Sequence, residues 1–187
     1  MQIMRGIALL VLAGHAALSI PVWAADVAAP GVPNFHQVNE RIYRGGQPTG
    51  EGWNSLAKLG VKTVVNLRYE SDQFAGSEAR AVEAAGMHYV NVRLKGTGAP
   101  PDAKVTQALA LLEADSGGPV FVHCRRGADR TGTVIACYRI THDHWSNRQA
   151  LEEAVRFGLS WVEFGMQRYI LNFHASGMQT IEAQPPR

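Results

Sequence analysis

Apolar positions along the chain recur at two spacings, and the switch between them marks out the elements. Val61 to Leu67 is a β-branched run fit for a buried strand, and Val120 to His123 is another; Arg41 to Arg44 and His88 to Val92 read as two further short strands. Between them, helical spacing predicts helices from Thr49, as N-cap, to Leu59, from Ser77 to Ala85 and from Asp102 to Ala114, with Gly60 and Gly86 placed to stop the first two. After residue 130 the pattern stays helical: Thr131 to Ile140, Asn147 to Phe157 behind a Ser146-x-x-Gln149 capping box, and Val162 to Ala175. Strands that alternate with helices argue for parallel pairing. The expected fold class is α/β, a central, mostly parallel sheet flanked by helices in three layers.

The two ends break this pattern. Gly6 to Ile20 is almost wholly apolar behind the single charge of Arg5, is interrupted by His15 and stops at Pro21, short of the roughly 20 residues a spanning helix needs. With the small residue that ends Val22-Trp23-Ala24, residues 1–24 read as a secretory signal peptide rather than a stable membrane anchor. Ala- and Pro-rich residues 25–34 read as a flexible lead, 35–176 as the folded domain, and 177–187, with two prolines, as a loose tail. At 46% hydrophobic and 18% charged, the chain has the composition of one globular domain. Arg5 is the only charge in the leader, so 17 of the 18 basic residues remain against 16 acidic ones, a balance that implies no nucleic-acid partner. The leader predicts an exported protein of the bacterial periplasm, where conditions are oxidising.

In such a compartment two cysteines suggest a disulfide, yet Cys124 and Cys137 sit in unlike surroundings. Cys137 lies within a helix beside Val134, Ile135 and Ala136, which predicts a buried, inert thiol. Cys124 ends an apolar strand and opens the sequence Cys124-Arg125-Arg126-Gly127-Ala128-Asp129-Arg130-Thr131-Gly132, a tight loop closing onto a helix start. Backbone N–H groups of such a loop converge where the helix dipole adds a positive field, so a tetrahedral dianion fits there. Gly127 lets the backbone approach closely, and the same field favours thiolate over thiol at Cys124. Arg130 can chelate two phosphoryl oxygens with its planar guanidinium. Thr131 can donate its hydroxyl to the sulfur, and His123 is expected to be buried and to order the loop. Arg125 and Arg126 should face outward as a rim for substrate, with Gly127, Ala128, Asp129 and Arg130 completing the phosphate cradle.

His123-Cys124-x2-Gly127-x2-Arg130-Thr131-Gly132 resembles the signature loop of the cysteine-dependent tyrosine and dual-specificity phosphatase superfamily. Ile42-Tyr43-Arg44-Gly45-Gly46-Gln47-Pro48 and Gly60-Val61-Lys62-Thr63-Val64-Val65-Asn66-Leu67-Arg68 are similar to the start of the atypical dual-specificity phosphatases of plants and fungi and their bacterial relatives. The resemblance covers roughly Phe35 to Phe173. It implies a dual-specificity-phosphatase-like fold and hydrolysis of phosphomonoesters, of phosphotyrosine and also of phosphoserine or phosphothreonine, through a cysteinyl-phosphate, with no cofactor and no metal. The partners it implies are phosphorylated proteins or small phosphoesters. Asp129 resembles the Asp of bacterial loops that also act on phosphoinositides, which gives the alternative of a phosphoinositide or inositol polyphosphate phosphatase. A rhodanese-type sulfurtransferase fits less well, since its loop resembles Cys-x4-Arg.

Expelling an alkoxide needs an acid, and the same carboxyl can then serve as base for water. Asp102, in a Gly/Pro loop ahead of a helix, resembles the acid of that family; its competing role is a helix N-cap. Asp129 is the second candidate, against a charge paired with Arg125 or Arg126. His142-Asp143-His144 has metal-ligand residue types but reads as a solvated turn. Trp53, Trp145, Trp161, Phe157 and Phe164, at helical spacings, are expected in the core.

Overall fold

The computed structural model describes residues 27–69, 77–115 and 117–174. The proposed leader 1–24 and tail 177–187 lie outside them. Five strands, β1 (His36–Asn39), β2 (Ile42–Gly45), β3 (Thr63–Asn66), β4 (His88–Asn91) and β5 (Val120–His123), form one sheet in the order β1-β2-β5-β3-β4. β2, β5, β3 and β4 run parallel and β1 pairs antiparallel with β2 at the edge. Six helices, α1 (Gly50–Lys58), α2 (Ser77–Ala84), α3 (Asp102–Glu113), α4 (Asp129–Thr141), α5 (Asn147–Arg156) and α6 (Phe164–Leu171), flank it among the described residues.

Alternation along the strands separates two cores, as a period of two requires. Tyr43, Val64 and Phe121 point to one face, where Trp53 and Leu56 of α1 and Val82 of α2 cover them. Ile42, Val65, Val120 and Val122 point to the other, beneath Val105, Ala108 and Leu112 of α3 and Val134, Ile135 and Cys137 of α4. A third cluster, Ala136, Ala150, Ala154, Met166 and Ile170, glues α5 and α6 onto the back of α4.

Gly60 and Gly86 take φ +79° and +78° just past α1 and α2, the left-handed conformation in which helices stop. The capping box of α5 is present, Ser146 Oγ accepting from Gln149 N while Ser146 N donates to Gln149 Oε1 at 3.0 Å. Four expectations are corrected. Strand β1 was not foreseen. Helix α4 starts at Asp129, two residues earlier than the pattern places it. Residues 29–34, expected as part of a flexible lead, are packed: Ala29 and Val32 are buried against Trp53, and Gly31 O, Pro33 O and Ala29 O accept from Thr49 N, Gly46 N and Val32 N. Trp161 and Phe164, expected in the core, are 78% and 65% exposed.

Candidate active site

Register places three polar strand ends side by side. Gly45 and Asn66 both lie opposite His123, so the chain leaves β2, β5 and β3 at the same carboxyl edge of the sheet. Ligands of open α/β sheets bind at such an edge. Here the middle strand turns into the loop from Cys124 to Ala128 and then into α4.

Neighbouring backbone holds this loop from both sides. Gly127 adopts φ +72°, and a Cβ there would lie 2.5 Å from Gly45 O and Gly46 N, so no other residue fits. Gln47 N donates to Arg125 O at 3.1 Å. Asn34 Nδ2 donates to Gly127 O at 3.1 Å and to Phe157 O at 3.0 Å, and Arg44 Nη2 donates to the same Gly127 O at 2.9 Å. Arg44 is 1% exposed, its guanidinium lies 4.7 Å from the centre of the Phe157 ring, and Nε and Nη1 have no hydrogen-bond partner among the described residues. Burial pulls it down to about 10 from the usual arginine value, an effect opposed by the charges of Glu153 and Cys124. A buried cation thus stands behind the loop.

His123 is fully buried. Its Nδ1 is 3.4 Å from Cys124 O and its Nε2 is 2.9 Å from Glu78 Oε1, within ion-pairing distance. Asn66 ties this pair to the next strands: Nδ2 donates to Glu78 Oε1 and to Tyr89 Oη, both at 3.0 Å, while Oδ1 accepts from Arg68 N at 2.7 Å. Arg68 Nη1 hydrogen-bonds Gln47 Oε1, joining β3 back to β2. The polar ends of the strands form one network under the loop.

Within the loop the structure brings together His123, Cys124, Arg125, Arg126, Gly127, Ala128, Asp129, Arg130 and Thr131. Cys124 is 2% exposed and, like Cys137, in no disulfide among the described residues; burial pushes the Cys137 thiol far above its ordinary value. Arg130 is buried with Nη1 at 3.5 Å from Leu94 O. Thr131 Oγ1 is buried without a hydrogen-bond partner among the described residues. Arg125 and Arg126 are exposed. Asp129 uses both carboxylate oxygens, Oδ2 with Arg126 Nη2 at 2.5 Å and Oδ1 with Ser160 N at 2.9 Å.

Asp102 stands apart from this cluster. It is the first residue of α3, where Pro101 is the N-cap, so it does not cap the helix with its side chain. It is exposed, and Tyr169 Oη donates to its Oδ1 at 2.9 Å. It borders a groove of about 830 Å³ between α3 and α6, shared with Thr106, Leu109, Arg168 and Phe173, to which no residue of the Cys124 loop contributes. In the turn after α4, the Asp143 carboxylate is engaged by Arg139 at 2.6 Å and His142 Nδ1 at 2.8 Å.

Residues 19–163 match the family described as DSP-PTPase phosphatase fused to NAD+ Kinase. The chain belongs to this phosphatase family. Among its relatives, the dual specificity protein phosphatase TpbA of Pseudomonas aeruginosa strain UCBPP-PA14 is 33% identical over 150 residues, 74% of this chain and 65% of that protein's length, so this chain spans slightly less than two thirds of that relative. The inositol diphosphatase DSP2 of Oryza sativa subsp. japonica is 29% identical over 174 residues, 90% of this chain and 83% of the rice protein. The core catalytic domain of the PP-IP phosphatase SIW14 of S. cerevisiae, crystallised with citrate, superposes with a TM-score of 0.71 at 25% identity over 80% of this chain and 91% of that one. P. aeruginosa TpbA superposes with a TM-score of 0.66 at 26% identity, over 78% and 92%.

Asn34, Arg44, Asn66, Arg68 and Glu78 had no assigned function from the sequence. A signal was present for two of them: like His123, Arg44 and Asn66 are polar residues near the carboxyl ends of otherwise apolar parallel strands, where core packing alone would place none.

Proposed function

We propose that the protein hydrolyses phosphomonoesters, with Cys124 as nucleophile. The supporting observation is a buried Cys124 seated between β5 and the first turn of α4, with Arg130 and the uncommitted Thr131 hydroxyl beside it in sequence and buried with it. Cys124 Sγ attacks phosphorus and the bond to the leaving oxygen breaks, giving a cysteinyl-phosphate; water then cleaves the S–P bond and releases phosphate. Loop N–H groups and Arg130 hold the three equatorial oxygens as charge spreads over them. Thr131 Oγ1 donates to the departing sulfur. Arg125 and Arg126 form the rim that reads the rest of the substrate.

The acid in this reading is Asp102. Asp129 has both oxygens engaged, whereas Asp102 follows the exposed loop 95–99 that starts beside Leu94, the residue whose carbonyl neighbours Arg130. Because both carboxylates are engaged, Asp129 by Arg126 and Ser160 N and Asp102 by Tyr169 Oη, the site suits leaving groups that need little protonation. A phenol, with a pKa of about 10, leaves far more readily than the alkoxide of serine, so phosphotyrosine is preferred over phosphoserine or phosphothreonine. A second reading is an inositol polyphosphate or phosphoinositide substrate, suggested by the basic rim; within it the same feature favours a diphosphate, whose leaving group is itself a phosphate, and the inositol diphosphatases among the relatives belong with it.

Hydrolysis of para-nitrophenyl phosphate with EDTA present tests the central proposal. Wild type turns over and Cys124→Ser does not; a Cys124→Ser protein with wild-type activity would overturn the mechanism. Asp102→Asn, and not Asp129→Asn, is expected to lose the basic limb of the pH–rate profile. Rates on a phosphotyrosyl peptide, an inositol lipid and an inositol diphosphate separate the substrate readings. Export to the periplasm, with cleavage after Ala24 or Ala25, is part of the proposal and is checked by N-terminal sequencing of protein from the envelope.

A further inference from the structure

The turn between α5 and α6 and the first residue of α6 carry three large apolar side chains on the outside of the molecule, with Trp161 78%, Val162 50% and Phe164 65% exposed. Their backbone is firmly held. Gln167 Nε2 donates to Ser160 O at 2.9 Å and to Trp161 O at 3.0 Å, and Ser160 N donates to Asp129 Oδ1. Gly98 N donates to Glu163 Oε2 at 3.3 Å, and Gly165 sits so close to Gly98 that a Cβ would lie 2.7 Å from its Cα. These side chains are therefore held away from the core by a braced turn, directly beside the first residue of α4.

Exposed cations adjoin this turn. Arg125, Arg126 and Lys95 are exposed, with the Arg126 side chain at 62%. The acidic groups here are Asp129, taken up by Arg126 and Ser160 N, Glu163, which accepts from Gly98 N, and Asp102 at the start of α3, which accepts from Tyr169 Oη. None of Trp161, Val162 and Phe164 lines the groove between α3 and α6. We propose that this ledge docks the protein on an anionic lipid bilayer, with Trp161, Val162 and Phe164 entering the headgroup region and Arg125, Arg126 and Lys95 facing lipid phosphates.

Indole and phenyl rings favour the bilayer interface, and nearby cations add attraction to anionic headgroups. A few inserted side chains suffice for such adhesion, whereas a stable protein partner needs about 800 Å² on each side. No helix among the described residues is long and apolar enough to cross a membrane, so the attachment is peripheral. This goes beyond the phosphatase proposal and does not depend on turnover.

Sedimentation with vesicles of phosphatidylcholine, with and without phosphatidylglycerol, tests it on wild type and a Trp161→Ala/Phe164→Ala variant prepared identically, so that their difference isolates the ledge from the apolar leader. Wild type is expected to sediment with phosphatidylglycerol vesicles, less so as salt rises, and the variant to partition roughly tenfold more weakly or worse. Equal partitioning of the two proteins, or none for wild type, overturns the proposal. So does a variant whose only change is its oligomeric state or its rate on a phosphotyrosyl peptide, which would make the ledge a protein-binding surface. Hydrolysis of soluble para-nitrophenyl phosphate in the same samples is expected to be unchanged in the variant, and its absence in both would count against the phosphatase proposal alone.

Discussion

Replacing Arg44 by methionine should separate stability from activity. The substitution removes one charge-assisted hydrogen bond, Nη2 to Gly127 O at 2.9 Å, worth about 1.5–3 kcal/mol, and a guanidinium–ring contact with Phe157 worth about 0.5–2 kcal/mol. Against this it relieves two buried nitrogens, Nε and Nη1, that lack partners among the described residues and cost about 1–3 kcal/mol each. The terms nearly cancel, and methionine fills much of the same space, as when buried ionic groups give way to apolar ones. The midpoint of urea unfolding should therefore move little. Activity should not escape, because Gly127 O is left with Asn34 Nδ2 as its one side-chain donor among the described residues and Cys124 loses a positive charge behind it. Residues that orient a reactive group in this indirect way are worth about 10–100-fold, and that is the expected fall in kcat/KM on para-nitrophenyl phosphate. Iodoacetamide should also alkylate Cys124 more slowly at neutral pH, while Arg44→Lys, which keeps the charge, should recover part of that rate. A stable Arg44→Met protein with wild-type kcat/KM would refute the reasoning, as would an activity loss that merely follows the unfolded fraction.

Three other outcomes follow from particular contacts. Gly127→Ala should cost at least about 2 kcal/mol in urea unfolding and abolish turnover, because a left-handed φ penalises Ala and its Cβ would meet the backbone of Gly45 and Gly46, which cannot yield. Stability should fall as pH rises above about 9: burial raises the Cys137 thiol in the folded state, so only the unfolded chain releases that proton, and unfolding becomes easier by about 1.4 kcal/mol per pH unit, a slope that Cys137→Ala should lack. Ser146→Ala breaks the capping box of α5 and should lower the melting temperature by about 2–4 °C, some 1 kcal/mol, with kcat/KM unchanged.

The elements around the loop were legible because local and tertiary preferences agree there. Val120 to His123 is apolar in sequence and buried in the middle of the sheet, and the Gly60 and Gly86 stops coincide with real helix ends. β1 was not legible, since His36-Gln37-Val38-Asn39 has little strand character of its own and is a strand because β2 offers an open edge. The segment 29–34 looked loose for a related reason: its order comes from Trp53 and from backbone donors at Gly46 and Thr49, which lie 13 or more residues further on. Helical spacing put Trp161 and Phe164 on an inward face, yet the turn ahead of α6 sets them outside, and only its bonds to Gln167, Asp129 and Gly98 show why.

The site shows the same division between what is local and what is assembled. The loop from Cys124 to Thr131 was legible as a unit because one strand-loop-helix segment supplies it. The choice between the two candidate acids was not, because it depends on how separate elements approach that unit. Asp129 is in the loop by sequence but is drawn aside by Arg126 and Ser160 N, and Asp102 is met by Tyr169 from α6. In the proposed reading, phosphate binding is built into rigid, buried strand ends, while protonation of the leaving group falls to an exposed carboxylate at the start of α3. An enzyme so arranged should discriminate among substrates chiefly by leaving group, with Asp102→Asn costing most where the departing oxygen is most basic; a uniform loss across phenyl and alkyl phosphates would mean that Asp102 acts on binding and not on proton transfer.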